Sequence, residues 1–370
     1  MLTSRFFLVV VFSLFVAVGL FMFSRQSNNP KKEIVQETSS SLRQAISDTP
    51  TPTPLELPER YVISPGNFVG QTFNNCGPAT LSMAMSVFGI NVSQGELASS
   101  MRPFNNPLGG VDDKSIFAHE FVKEAKNQGF LALHRPNGTS ELMKRFLIND
   151  IPVVVRTWLN DYEDIGHFRL VNGYDSSVNT LIYQDSYYGP NQTQSESDFQ
   201  MLWKPFNYGY ILVYPEDKQD VVEEILGENI DEQIAWERSQ VRSTEALSDN
   251  PSDDFARFNL AVANFYLGNY NQTIEQYEKA QGRLPPRMLW YQPEPIYAYQ
   301  KNEQYDKAFE LTDAILSNGN LAYSELYQVK GEIYIEQGQE DLAREQFEKA
   351  IYYNRNFQPA HASLTALMDR

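Results

Sequence analysis

The sequence predicts an α+β domain followed by an all-α solenoid, with an apolar helix at the N-terminus. In residues 59–217, helix-like segments come first and strand-like segments rich in Val, Ile and Tyr come later, an order typical of α+β domains. In residues 254–370, small and aromatic residues recur at a spacing of 35, which is typical of stacked helix pairs. A chain of 370 residues is long enough for both folded parts and the segments that join them.

The N-terminal segment is predicted to be a membrane anchor. Residues 6–23 form an apolar run of 18 residues without a charge, close to the minimum length that spans a bilayer as a helix. A cleaved signal peptide is the alternative, but no small-x-small cleavage pattern follows the run. We therefore expect an anchor over residues 1–23 and a single-pass protein of the cell membrane.

Residues 24–58 are predicted to be a stalk. They are polar, rich in Ser, Thr and Pro, and contain alternating threonine and proline from Thr49 to Pro54, a pattern that favours an extended, solvated chain. A stalk after a terminal anchor favours an extracytoplasmic position for the folded body. The flanking charges do not decide the orientation, because basic residues stand on both sides of the apolar run.

Composition excludes several classes of function. The chain has 30 Lys and Arg against 47 Asp and Glu, a net charge of −17, and an acidic surface repels the phosphates of nucleic acids. Cys76 is the one cysteine, so an intramolecular disulfide and a cysteine-based zinc site are both excluded. The sequence contains no nucleotide-binding loop, His/Cys metal cluster or EF-hand pattern. We therefore expect no nucleic-acid partner, no cofactor and no metal ion.

Cys76 lies where a helix is predicted to begin. The run after it is largely apolar and free of helix breakers up to Gly89, and Pro78 suits a first helical turn. At a helix N-terminus, unpaired backbone N–H groups and the macrodipole favour the nucleophilic thiolate, and the same groups can stabilise an oxyanion on a substrate carbonyl. Gln71, five residues earlier, is a candidate second donor to that oxyanion. The plain alternative is that Cys76 is a small buried core residue.

A thiolate of this kind needs a base, and one of the four histidines has a suitable setting. His167 follows a glycine and opens a strand-like run that continues to Tyr174. A second strand ends in Asp185 after a turn centred near Ser177, so Asp185 is expected diagonally opposite His167 on one face of a hairpin. Such neighbours are about 7–8 Å apart at the backbone, within reach of side chains. Cys76, His167 and Asp185 can therefore serve as nucleophile, base and orienting carboxylate.

The remaining pattern agrees with an α+β domain. Ser93 and Glu96 form a capping-box pattern that opens a short helix. Two further helices are predicted over residues 114–128 and 140–148. Four strands are predicted over residues 151–158, 168–174, 181–185 and 208–214. The other three histidines are expected to be ordinary surface or core residues: His119, His134 and His361.

These motifs resemble a known family. Gln-x4-Cys-Gly-Pro-Ala, then Gly-His-Phe-x-x-Val-x-Gly-Tyr-Asp, then a strand ending in Asp is similar to the papain-like cysteine peptidases that process double-glycine leader peptides of bacteriocins, more in their stand-alone than in their transporter-fused form. The resemblance covers about residues 62–215. It implies a bacterial source and a papain-like α+β fold with the Cys-bearing helix on an antiparallel sheet. It also implies Cys76 as nucleophile, His167 as general base, Asp185 as its orienter and Gln71 as oxyanion-hole donor.

Other thiol enzymes fit the pattern less well. Transglutaminase-like enzymes share the Cys, His, Asp order, but their separation is usually shorter than the 91 residues between Cys76 and His167. Cell-wall amidases of the papain-like class usually carry a second His where this chain has Asp185. One departure from the leader peptidases is Ser186, because many relatives have Pro directly after the aspartate.

The C-terminal part contains an internal repeat. Three positions of one unit recur 70 residues later, twice the period of 35: Gly268, Tyr277 and Ala280 match Gly338, Phe347 and Ala350. The pattern resembles tetratricopeptide repeats, with units over about residues 254–287, 289–322 and 324–357, and residues 218–253 as a helical connector or cap. The resemblance implies a bound protein partner, and the alternative is a spacer without a ligand.

Together these features predict a membrane-anchored, extracytoplasmic thiol peptidase whose repeats recruit a partner or substrate. One alternative is a catalytically silent adaptor that binds peptides or proteins. Another is a papain-like enzyme that transfers the acyl group to an amine instead of water. The complete set of Cys76, His167 and Asp185 favours the peptidase, because an adaptor would be free to lose it.

Overall fold

The computed structural model describes residues 56–104 and 116–369. The predicted anchor over residues 1–23 and nearly all of the predicted stalk lie outside these ranges. Among the helices that are described, none combines the length and the apolar character needed to cross a bilayer. From Leu57 onward the chain forms one compact unit, and the boundaries proposed near residues 217 and 253 stay predictions.

The first half of this unit is built on a seven-stranded sheet in which every pairing is antiparallel. The strands are β1 (Arg60–Val62), β2 (Leu131–Arg135), β3 (Val153–Asn160), β4 (Glu163–Asp175), β5 (Thr180–Asp185), β6 (Gly189–Ser195) and β7 (Tyr210–Tyr214). Their order is β2-β7-β3-β4-β5-β6, and β1 pairs with the C-terminal end of β4. The long β4 and its partner β5 therefore lie inside the sheet.

Helices cover both faces of the sheet. They are α1 (Cys76–Ser86), α2 (Gln94–Met101), α3 (Ala118–Asn127), α4 (Ser140–Leu147) and α5 (Glu196–Trp203). One core joins α1, α2 and α3 to the face that carries Val154 and Phe168, and a second core joins α4 and α5 to the face that carries Val153 and Val155. Neighbouring valines of β3 thus enter different cores, as the alternation of side chains along a strand requires.

The predicted α+β order is confirmed, with differences at the edges of the sheet. Each of the four predicted strands overlaps an observed one, namely β3, β4, β5 and β7. Strands β1, β2 and β6 and helix α5 were not predicted from the sequence. Strand β6 has the polar sequence GPNQTQS and pairs on one side only. As an edge strand it lacks the apolar pattern by which strands are recognised in a sequence.

The second half is helical and agrees with a repeat array. Its helices are α6 (Gln219–Leu226), α7 (Glu232–Asp249), α8 (Asp254–Tyr266), α9 (Tyr270–Ala280), α10 (Met288–Tyr291), α11 (Glu294–Lys301), α12 (Tyr305–Ser317), α13 (Ser324–Glu336), α14 (Glu340–Tyr353) and α15 (Gln358–Met368). The pairs α8–α9, α11–α12 and α13–α14 fall in the three predicted units. The matched alanines Ala280 and Ala350 are completely buried, as close helix approach requires.

The helical half packs directly on the sheet-containing half. Phe117, Trp158 and Phe206 share one hydrophobic core with the helices of the repeats. Buried amides reinforce the contact, because the Gln292 side chain donates to the carbonyl of Pro205 at 2.8 Å. The two halves therefore form a continuous structure and not two bodies on a flexible link.

Candidate active site

Cys76 is the first residue of α1, and its side chain is half-buried. The rest of α1 is buried on all sides, so the position of the thiol is fixed by the packing of the whole helix. Gly77 allows the close approach of Ile116, because a Cβ at residue 77 would lie 2.9 Å from the Ile116 side chain. Asn75 occupies the N-cap position, but its amide donates to Thr72 at 2.7 Å and makes none of the cap bonds expected of it.

His167 and Asp185 are brought together by the β4–β5 hairpin. The register places Arg169 opposite Asp185, so His167 lies two positions away on the same strand face. His167 Nε2 and Asp185 Oδ1 are 2.9 Å apart. The Cys76 thiol lies near enough to His167 for the two groups to shift each other's pKa, and with Nε2 facing Asp185 the ring nitrogen Nδ1 is left for the thiol. Sulfur, imidazole and carboxylate thus form one connected set.

Asp185 is a completely buried carboxylate with several partners. Its Oδ1 accepts from the backbone N–H groups of Tyr187 at 2.8 Å and Tyr188 at 3.0 Å, and its Oδ2 accepts from Arg169 Nε at 3.0 Å. Burial alone would raise the pKa of Asp185, but the hydrogen bond and charge of His167, with the charge of Arg169, lower it well below its ordinary range. The carboxylate is therefore ionised whenever the protein is folded near neutral pH.

Arg169 is almost as deeply buried as Asp185. Besides Asp185, its guanidinium donates to three acceptors of β3: the hydroxyl of Thr157 and the carbonyls of Trp158 and Leu159. These bonds satisfy the N–H groups that burial would otherwise leave without partners. Arg169 thus holds Asp185 in place through the carboxylate oxygen that does not contact His167.

The thiol and the imidazole shift each other toward the charged pair. Burial would raise the pKa of Cys76, but the hydrogen bond and charge of His167, the backbone of Phe168 and the charge of Arg156 lower it. Burial would lower the pKa of His167, but Asp185 and Cys76 raise it. Both shifts favour a thiolate beside an imidazolium, which is the reactive form of a catalytic cysteine.

Gln71 is held next to the same hairpin by its neighbours. Its backbone N–H donates to the carbonyl of Ser186 at 2.8 Å, and the Ser186 hydroxyl donates to its side-chain Oε1 at 2.9 Å. The side chain of Gln94 bonds the backbone on either side, at the carbonyl of Gly70 and the N–H of Thr72. With Oε1 accepting from Ser186, and with no partner for Nε2 among the described residues, the amide has its Nε2 hydrogens available as donors.

Two parts of the chain match known protein families. Residues 62–211 match the Peptidase_C39 like family. Residues 324–357 match the tetratricopeptide repeat, which is the third predicted unit. A comparison with curated proteins finds no significant match. Residues 62–211 are called the C39-like segment below.

Several solved structures are similar to parts of the chain. The peptidase domain of Streptococcus ComA, a bi-functional ABC transporter involved in a quorum-sensing pathway, is 24% identical, with a TM-score of 0.32 over 40% of this chain and 97% of that one. A double-glycine-motif protease from an AMS/PCAT transporter, in complex with the leader peptide, is 17% identical, with a TM-score of 0.33 over 42% of this chain and 94% of that one. The protein MamA is 18% identical, with a TM-score of 0.33 over 36% of this chain and 78% of that one.

The remaining histidines do not join the site. His134 borders a cavity of about 520 Å³ between the C39-like segment and the repeats, and burial lowers its pKa to about 3. His119 is exposed with its ring stacked against Phe117, and His361 Nε2 lies 2.9 Å from the carbonyl of Arg355. Within residues 56–104 and 116–369, no group of His, Cys, Asp and Glu side chains is arranged to hold a metal ion.

The roles of two residues of the site, Arg169 and Ser186, were not predicted from the sequence. Arg169 was in reach of such a prediction, because the hairpin register that pairs His167 diagonally with Asp185 also places Arg169 directly opposite the aspartate. Ser186 was noticed only as a departure from the family pattern. Its contact with Gln71 joins positions that are 115 residues apart, and no local signal in the sequence reports such a pair.

Replacing Ser186 with alanine is expected to lower peptide turnover while leaving the reactivity of Cys76 unchanged. The substitution removes the hydroxyl that fixes Gln71 Oε1, and one lost hydrogen bond corresponds to a decrease in kcat of about threefold to tenfold. Replacing Gln71 with alanine should cost more, about 10²–10³-fold, if it donates to the oxyanion. Steady-state kinetics on both single variants and the double variant measure the effect.

The double variant provides the control for Ser186. If Ser186 acts by positioning Gln71, its loss should have no further effect once Gln71 is alanine. Additive losses in kcat, or a change in the pH dependence of Cys76 alkylation, would assign Ser186 a role other than positioning.

Proposed function

We propose that the chain is a cysteine peptidase that hydrolyses peptide bonds with Cys76, His167 and Asp185. The observation that carries the proposal is a half-buried thiol beside His167, whose ring nitrogen Nε2 is in turn 2.9 Å from the buried, ionised carboxylate of Asp185. The match of residues 62–211 to a C39-like peptidase family supports the same class of reaction. A catalytically silent adaptor would have no need of a buried Asp185 held by Arg169.

The chemistry follows from the arrangement of the groups. The Cys76 thiolate attacks the carbonyl carbon of the scissile peptide bond, and the negative charge moves to the carbonyl oxygen. The N–H groups at the start of α1 and the Nε2 group of Gln71 are suited to stabilise this oxyanion. The imidazolium of His167 gives its proton to the leaving amine, and a thioester remains.

In the second half of the reaction the neutral His167 removes a proton from water. The resulting hydroxide attacks the thioester, and the acid product leaves as Cys76 regains its thiolate. Asp185 keeps the ring oriented through its bond to Nε2 and stabilises the imidazolium in both halves. An amine in place of water would give the transamidation that was considered as an alternative.

The proposal includes a location and a partner. The apolar run over residues 6–23 supports a membrane anchor, and the polar stalk after it supports an extracytoplasmic body. The tetratricopeptide match supports binding of a protein partner or substrate by the repeats. Separation of membrane and soluble fractions, with and without residues 1–23, tests the anchor.

Alkylation of Cys76 by iodoacetamide tests the reactive ion pair. Because the pKa of the thiol is lowered, we expect labelling at about pH 6 to be at least about tenfold faster than labelling of free cysteine, whose pKa is about 8.5. Cys76 is the one cysteine in the chain, so mass spectrometry of the intact protein measures the rate of its alkylation directly. A profile that follows free cysteine would contradict the proposal.

Cleavage is then measured by comparing peptides released from a proteome by the wild type and by the Cys76→Ala variant. We expect new peptide termini with the wild type and none with the variant. Equal products from both proteins would refute the peptidase, and amine-linked products in place of new carboxyl termini would identify transamidation.

A further inference from the structure

A groove next to the β4–β5 hairpin combines exposed aromatic rings with carboxylates that form no ion pair among the described residues. We call it the tyrosine groove, and it is defined by Asp161, Tyr162, Glu163, Tyr188, Asp198 and Met201. Its volume is about 1310 Å³, which is enough for several residues of an extended peptide. The β3–β4 turn and α5 form its walls on the C39-like side, and residues 285–287 close it on the side of the repeats.

The apolar character of the groove is unusual for an exposed surface. Tyr162 is 78% exposed, Met201 63% and Tyr188 48%, although most large apolar side chains of the described chain are buried. Tyr187, at 63% exposure, packs edge-to-face against Tyr188 with ring centroids 5.1 Å apart. Clustered exposed rings of this kind mark surfaces that bind a partner, because tyrosine supplies contact area at a small cost in conformational entropy.

The charge of the groove selects the kind of partner. Asp161, Glu163 and Asp198 are exposed, and no Lys or Arg of the described residues forms an ion pair with any of them. The two arginines that border the groove are already engaged: Arg169 by Asp185, and Arg287 by Asp164. Carboxylates beside open tyrosine rings favour lysine or arginine, which gain both ion-pair and cation–π interactions there.

Two residues that line the groove also bond to the candidate active site. Tyr188, on its wall, donates its backbone N–H to Asp185, and Arg169, at its floor, donates to the other oxygen of the same carboxylate. Asp185 is in turn bonded to His167. The groove thus shares two lining residues with the surroundings of the carboxylate that orients the base.

We infer that the tyrosine groove binds a segment of the substrate peptide that carries lysine or arginine next to apolar residues. The inference rests on the proposed peptidase function and deepens it by naming a substrate class. It assigns the basic side chains to Asp161, Glu163 and Asp198, and the apolar ones to the faces of Tyr162 and Tyr188 and to Met201.

Binding to the full chain with Cys76→Ala tests the groove without cleavage. The probes are a fluorescein-labelled peptide with two lysines among leucines and glycines, and two matched peptides in which both lysines are norleucine or glutamate. Fluorescence anisotropy should give the tightest binding for the lysine peptide. Adding Tyr162→Ala, Asp161→Asn and Asp198→Asn should weaken its binding about tenfold.

The control separates the groove from the overall acidity of the chain. Glu245 and Asp249 are exposed acids on α7, outside the groove, so Glu245→Gln with Asp249→Asn removes the same charge elsewhere. We expect this variant to bind the lysine peptide as tightly as its parent does. Equal affinity for the lysine and glutamate peptides, or an equal loss in both sets of variants, would overturn the inference.

Cleavage by the wild type tests the peptidase function separately from peptide binding by the groove. If the wild type cleaved no peptide but the chain still bound the lysine peptide selectively, the proposed function would be refuted and the groove would remain a peptide-binding site. If substrates without Lys or Arg near the scissile bond were cleaved with the same kcat/KM as basic substrates, the peptidase function would stand. The inference that the groove selects basic substrates would then be refuted.

Discussion

Replacing His167 with alanine is expected to lower kcat/KM for peptide cleavage by about 10⁴-fold or more, because nucleophile and base act as a unit. The substitution removes both the proton carrier and the positive charge that stabilises the Cys76 thiolate. Without these contributions the pKa of Cys76 should rise. Rapid alkylation at about pH 6 should disappear together with turnover.

Two variants make the His167 result specific. His167→Gln keeps a side chain that can bond Asp185 but has no base, so it should lose activity while retaining the wild-type midpoint of thermal unfolding. His361→Ala removes an exposed histidine whose Nε2 meets only the carbonyl of Arg355 and should leave turnover unchanged. Turnover above about one hundredth of wild type in both His167 variants would mean that another group acts as the base.

The sequence carried enough information to place the central hairpin. Two strands separated by a short turn fix their own register, so the diagonal relation of His167 and Asp185 follows from counting residues. The N-terminal start of α1 at Cys76 follows from the apolar run and from Pro78. These are local properties, and local properties are what a single sequence reports best.

The parts that the sequence did not reveal depend on distant contacts. Nothing near Gln292 indicates that its amide meets the carbonyl of Pro205, 87 positions away, so the packing of the repeats on the C39-like segment was not foreseen. The tyrosine groove likewise needs the β3–β4 turn, α5 and residues 285–287 at one place. From the sequence alone, Tyr162 is an ordinary turn residue, because its role depends on the side chains that surround it in the folded chain.

Replacing Arg169 with methionine is expected to lower the free energy of unfolding by about 3–5 kcal/mol at pH 7, because it removes one of the two cationic partners of the buried Asp185 carboxylate. Methionine fills a similar volume, so the loss reports charge more than packing. Arg60→Met is the matched control on the same sheet. Arg60 is mostly exposed and lies 3.4 Å from Asp175, so its loss should cost less than about 1 kcal/mol.

The pH dependence of that loss identifies its cause. The folded-state pKa of Asp185 is lowered, so the stability that it contributes is present above the unfolded pKa of about 3.9 and is lost as the pH falls through the folded value. In Arg169→Met the folded pKa should rise, and the variant should approach the wild type in stability as the pH falls from about 7 to about 4. Urea unfolding at both pH values measures the difference. A gap that stays constant would assign the role of Arg169 to its bonds with β3, whereas a gap that closes would show that one buried charge secures both the fold and the carboxylate that orients His167.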